Sequence, residues 1–188
     1  MILHEIAHGY VALQRGDPTA QRMGRLTLNP ISHVDPVGTI LLPGLLYFSG
    51  APIFGWAKPV PVDFSRLDNP RRDMIAVAAA GPAMNVALAL VFAAVFHAMG
   101  GLAQEPGTVA VMALRAVQIN ILLAILNLTP ILPLDGGRIL FGLLPRRQAM
   151  AYAQTERYGM MIVMALLFSG VLGRVLMPVG NMLLRALL

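Results

Sequence analysis

The sequence predicts a mainly α fold: a polytopic bundle of membrane helices, with a small β-hairpin or re-entrant element near the cytoplasmic face. Three observations carry this. First, hydrophobic residues make up 57% of the 188 residues and charged residues 12%, against roughly 45–50% and about 25% in soluble domains. The mean hydropathy is +0.70. Second, three apolar runs reach the about 20 helical residues needed to cross a bilayer. Third, the arginines that give most of the net charge of +5 sit in short polar links between those runs. That placement fits the positive-inside rule and not a nucleic-acid surface, so no nucleic-acid partner is expected. The length suggests one domain.

The first element is a short N-terminal helix that ends near Arg15. Gly24–Leu28 (GRLTL) partly alternates and reads as a small strand or hairpin at the membrane edge. The run from about Val37 to Ser49 is too short to span and contains Gly38, Pro43 and Gly44. It is expected to dip in and return, under cover of protein or a water cavity. Gly55–Val62 (GWAKPVPV) is extended by its prolines, and Trp56 and Lys58 suit interfacial anchoring. The second run, Asp73 to about Met99, is long enough to cross. The third, Gly107 to about Leu134, also crosses, although Arg115 interrupts it. The fourth, Gly159–Leu188, crosses with Arg174 inside it and a kink expected at Pro178. There is no internal repeat and no pattern of a secretory signal peptide.

Sidedness follows from charge. The links at 15–36, 51–72 and 145–158 carry the arginines and are assigned to the cytoplasm, whereas the link at 100–107 carries only Glu105 and is assigned to the far side.

The chemistry-bearing residues begin at His4-Glu5-Ile6-Ala7-His8. Positions i and i+4 share one helix face, so both imidazoles can reach one metal. Glu5, next to the first ligand, can take a proton from water at that metal. Two surface histidines near a chain end would give the same pattern, but imidazoles and carboxylates in a lipid-embedded segment are costly and usually functional. The chain has no cysteine, so any metal takes His nitrogen and carboxylate oxygen. Catalytic zinc needs three protein ligands and an open position. Of the remaining acids, Asp17, Asp35, Asp63, Asp68, Asp73, Glu105 and Glu156 lie in links or at segment ends and read as solvated charges. Asp135 differs. It lies at the cytoplasmic end of an apolar run, where Pro130, Pro133 and Gly136-Gly137 break the helix and let a carboxylate point inward. The alternative is a loop carboxylate that caps the next helix. His8 lies about 10 Å from the cytoplasmic end of its own helix, so both halves fall on the same side.

The pairing of HEIAH with Asn127-Leu-Thr-Pro-Ile-Leu-Pro-Leu-Asp135-Gly-Gly resembles the site-2 protease family of intramembrane zinc metalloproteases. Asn29-Pro30, His33-Val-Asp-Pro-Val-Gly38, Gly55-Trp-Ala-Lys-Pro59 and Gly81-Pro-Ala-Met-Asn85 extend the resemblance over about residues 1–140. The lack of an inserted PDZ-like domain is similar to the compact members. The resemblance implies one zinc per chain, held by His4, His8 and Asp135, with Glu5 as general base and Asn127 as a substrate-backbone contact. It implies a single membrane-embedded metalloprotease domain, 1–188, that lacks its N-terminal helix or helices. It also implies an integral protein of the bacterial inner membrane that cuts transmembrane segments of other proteins from the cytoplasmic side. A substrate would unwind and add as a strand to the 20–30 region. A membrane metal carrier using the same three ligands without hydrolysis is the alternative, and a purely structural bundle is a further one. Among the other residues, His33 matches as a structural position and His97 as an interfacial one. Gly81, Ala83 and Asn85 read as close helix packing. Arg115 and Arg174 read as snorkelling or paired.

Overall fold

The computed structural model describes residues 1–50, 53, 55–101 and 106–188. Glu105, in the link assigned to the far side, lies outside these residues. The described chain is mainly helical: α1 Ile2–Gln14, α2 Thr19–Arg22, α3 Leu42–Phe48, α4 Pro70–Ala98, α5 Thr108–Asn127, α6 Asp135–Leu143, α7 Arg146–Ala153, α8 Glu156–Phe168 and α9 Val171–Leu187. Helices α4 and α5 are long and apolar enough to cross a membrane, and α8 with α9 forms a third such span if the bent pair counts as one. The chain forms two compact units, Met1–Gly81 and Pro82–Leu188, divided within α4.

In the first unit, two acids read as solvated prove to be structural. Asp17 is fully buried; one carboxylate oxygen accepts from Thr19 N–H at 3.0 Å and the other from Asp63 N–H at 2.7 Å. Asp73, also buried, pairs with Arg15 at 3.2 Å and accepts from Asn69 N–H at 2.7 Å. Both are held inside by backbone donors that turn ends would otherwise leave unmatched. Asp63 itself is half-buried, and hydrogen bonds from Ser65 and then Arg66 hold its carboxyl below the ordinary range.

The expected strand at Gly24–Leu28 is absent, and no strand occurs among the described residues. Local side chains take up the backbone groups that a ladder would need. His33 Nε2 donates to Thr27 O at 2.8 Å, Thr27 Oγ1 accepts from Asn29 N–H at 3.2 Å, and Asn29 Oδ1 accepts from Ile31 N–H at 3.1 Å. Such side-chain bonds compete with sheet pairing. Strand addition of a substrate at 20–30 therefore finds no strand edge there.

The short apolar run is helical from Pro36 to Phe48: a wide turn over Pro36–Leu41 leads into α3. Asp35 caps it, accepting from Val37 N–H at 3.0 Å and Gly38 N–H at 2.6 Å. Gly38 admits the indole of Trp56: a Cβ there would lie 2.3 Å from the ring. The backbone N–H of Trp56 donates to Gly38 O at 3.1 Å, and with its ring against Gly38 this tryptophan has a packing role within the unit.

In the second unit, Ala89 and Ala93 of α4 meet Val117 and Ile121 of α5, with Leu184 and Leu187 of α9 packed against them. Small residues let the helices approach. The third run ends as a helix at Asn127, and Leu128–Leu134 is a compact non-helical loop with a cis Leu132–Pro133 bond. The fourth run bends by 76° between α8 and α9. The bend falls at Gly170 (φ +71°), not at Pro178, which lies inside α9. A left-handed residue ends a helix outright, whereas a proline removes one hydrogen bond. His97 Nε2 meets Leu187 O at 2.9 Å, and Arg115 donates to Gln118 at 3.1 Å.

Glycines seat the Leu128–Leu134 loop. A Cβ on Gly136 would lie 2.2 Å from Leu128 O, one on Gly137 2.5 Å from Leu132 N, and one on Gly159 1.6 Å from Leu132 O. The last contact is with backbone of a second element and cannot be relieved by a rotamer change. Gly159→Ala is expected to lower unfolding stability by about 3 kcal/mol, measured as a shift of the thermal transition in detergent.

Candidate metal centre

In α1, His4 is buried and His8 is half-buried. One helical turn apart, their rings meet edge to face at 4.7 Å between centroids. His8 Nδ1 lies 2.7 Å from the carbonyl oxygen of Val77. A carbonyl only accepts, so His8 carries its proton on Nδ1 and presents the Nε2 lone pair. That atom lies 3.1 Å from His4 Nε2. Two nitrogens bound to one tetrahedral zinc at 2.0–2.1 Å would be about 3.3 Å apart. The donor chemistry and spacing of the pair thus fit a zinc ion, and the Val77 carbonyl would be the outer partner that orients His8 if it ligates.

Gly81 completes this half of the site. A Cβ there would lie 2.4 Å from His8 Nε2 and 2.6 Å from His4 Nε2. The expected role of Gly81 in helix–helix packing is therefore sharpened: the missing side chain leaves room at the two facing imidazole nitrogens. Of its companions, Ala83 is exposed and Asn85 is fully buried.

Glu5 follows His4 and turns to the extended segment, where its Oε2 accepts from Val60 N–H at 2.9 Å. Pro59 and Pro61 flank Val60, so the Val60 amide is the one backbone donor in that tripeptide. A cavity of about 390 Å³ opens beside the first turn of α1, lined by Met1, Ile2, His33, Gly38, Pro43 and Trp56 among others. Its lining is mostly apolar. His33 is buried with its ring bonded to Thr27 O, in keeping with a structural position.

In the second unit, Asp135 is the first residue of α6, and one of its carboxylate oxygens is shielded from solvent. The residue at the cap position is Leu134, and no side-chain cap bond forms there. The glycine-seated loop before it and the Arg138–Glu156 pair at 3.3 Å after it define its position within this unit. Asn127, at the end of α5, donates through Nδ2 to Leu123 O at 2.9 Å, a bond within its own helix.

Sequence reasoning found the two histidines, Glu5 and Asp135 as candidates. It did not find the contacts of Gly81 and Val60, which no local pattern signals.

The signature of peptidase family M50 matches residues 97–170. The chain is 38% identical over 185 residues to a Bacillus subtilis (strain 168) protein, YwhC, whose name is that of a zinc metalloprotease; the match covers 95% of this chain and 81% of that protein. It is 31% identical over 175 residues to Rip2 of Mycolicibacterium smegmatis, also named as a zinc metalloprotease, over 93% of this chain and 65% of that protein. Rip2 of Mycobacterium tuberculosis is 29% identical over 167 residues, covering 88% of this chain and 62% of that protein. No solved structure matches the chain.

Proposed function

Because this chain belongs to peptidase family M50 and is a zinc metalloprotease, we propose that it cuts peptide bonds in or near transmembrane segments of other membrane proteins, with His4, His8 and Asp135 holding the zinc and Glu5 acting as general base. The observation that carries the reading is the facing pair of histidine nitrogens beside Gly81, with Glu5 adjacent. The third donor is assigned by chemistry. Zinc in catalytic sites takes three protein ligands, and Asp135, which opens α6, offers a partly shielded carboxylate directly after a loop built for close backbone approach. The reading treats 1–188 as one membrane-embedded domain, because its ligand set draws on both units.

Bound zinc supplies Lewis acidity toward the scissile carbonyl and acidifies a water molecule. The protein residues do the rest. The Val60 amide fixes one Glu5 oxygen, which leaves the other to take the proton of the attacking water and pass it to the leaving amine. The Val77 carbonyl keeps His8 in the tautomer that presents Nε2. Asn127, with its Nδ2 committed to Leu123, offers its Oδ1 to a substrate N–H. The apolar cavity beside α1 takes a substrate side chain, which suits a transmembrane segment. By the arginine distribution the site faces the cytoplasmic side of a bacterial inner membrane.

The test is cleavage of a candidate transmembrane substrate by the purified chain in lipid, with zinc measured on the same sample. Cleavage should stop with a chelator and return with zinc. Zinc binding without cleavage would favour a carrier and sink this reading. Asp135→Asn should weaken zinc affinity by at least about 10–100-fold, read as metal content after dialysis against a competing chelator.

A further inference from the structure

Arg25 is buried, yet among the described residues no carboxylate pairs with it. A buried guanidinium without a counter-ion is costly and needs acceptors. Arg25 finds two carbonyls: Nη2 donates to Lys58 O at 2.9 Å and to Pro59 O at 3.2 Å. Its Nε is buried with no acceptor among the described residues. The second carbonyl matters because Pro59 C=O and Val60 N–H belong to the same peptide group. Its oxygen faces the Arg25 cation, and its N–H faces the Glu5 carboxylate at 2.9 Å. One peptide unit thus bridges a buried cation to the acid beside the histidine pair.

We propose that Arg25 is a positioning residue that acts on Glu5 through the Pro59–Val60 peptide. A charge on the carbonyl oxygen polarises the amide and strengthens the bond its N–H donates. The guanidinium, holding two successive carbonyls, also fixes the rotation of that peptide about the chain. The flanking prolines restrict the backbone on either side. The orientation of the carboxylate is then set by a residue that touches neither substrate nor metal. This inference rests on the reading of Glu5 as general base.

The experiment compares Arg25→Lys, Glu5→Asp and the double variant in the full chain, measuring kcat, KM and zinc content. Lysine keeps the charge, but its side chain is one atom shorter, so its ammonium falls short of the position from which Nη2 donates to both carbonyls. Arg25→Lys should lower kcat by about tenfold or more, with KM and zinc unchanged. The shorter Asp side chain no longer reaches the Val60 amide, so in the Glu5→Asp background the same change should cost about twofold or less. Deuterium uptake at the Val60 amide should rise in Arg25→Lys. Equal losses in both backgrounds, an unchanged kcat, or a fall in zinc content and folded yield that accounts for the whole effect would each overturn the proposal. Glu5→Gln separates the two ideas: if it still cleaves, the general-base reading fails, whatever Arg25 does.

Discussion

Replacing Glu5 with glutamine will lower peptide cleavage by about 10²–10⁴-fold and leave the zinc content unchanged. The side chain keeps its length, and its amide oxygen still accepts from the Val60 N–H that Glu5 Oε2 uses now at 2.9 Å. Orientation is therefore retained, and only the capacity to take a proton is removed. His4 and His8 keep their mutual geometry and the Val77 contact, since neither depends on the Glu5 carboxylate. Single-turnover cleavage with metal analysis on the same preparation checks this. Retained cleavage at near wild-type rate, or loss of zinc in step with activity, would remove Glu5 from the role of base.

Replacing Gly81 with alanine will remove both metal and activity, the opposite pattern. A methyl group would lie 2.4 Å from His8 Nε2 and 2.6 Å from His4 Nε2. These are the atoms that face each other at 3.1 Å and would bind the ion. The rings can give way only by losing that geometry, and His8 can rotate only by breaking its 2.7 Å contact with Val77 O. The expected loss in metal affinity exceeds the about 10–100-fold typical of changes to the groups that support ligands. Helix α4 itself should be indifferent or slightly stabilised, since alanine outranks glycine in a helix by about 1 kcal/mol. Zinc content falling while helicity by circular dichroism stays is the diagnostic result. An alanine variant with full zinc would show that the glycine is not the seat of the imidazoles.

The two substitutions bear on a wider point about where the site is written. The i,i+4 spacing of His4 and His8 belongs to the chain itself, because a helix places such residues on one face whatever surrounds it. The apolar runs behind α4 and α5 are equally local, since length and composition alone decide whether a helix can cross a bilayer. The glycines and prolines around Asp135 mark a break in the helix in the same way. The zinc-protease class was likewise legible, carried by HEIAH and the NLTPILPLDGG stretch together.

Other features depend on partners far along the chain. The alternation at Gly24–Leu28 suggests a strand, but a strand exists only with a ladder partner, and here His33, Thr27 and Asn29 take the backbone groups. The bend of the last apolar run falls at Gly170 and not Pro178, because a left-handed residue ends a helix that a proline merely weakens. Asp17 and Asp73 have the look of surface charges until distant donors bury them.

By itself, then, the sequence determined the mainly helical membrane-protein class, the histidine pair with its neighbouring glutamate, and the family. Only the tertiary structure decided that Gly81 makes room for the imidazoles, that Val77 sets the tautomer of His8, and that Arg25 and Glu5 meet opposite edges of one peptide group. The physical reason is range: helix periodicity and hydropathy act within a turn or a run, whereas hydrogen-bond partners such as Arg25 with Pro59 and His8 with Val77 lie 34 and 69 positions apart.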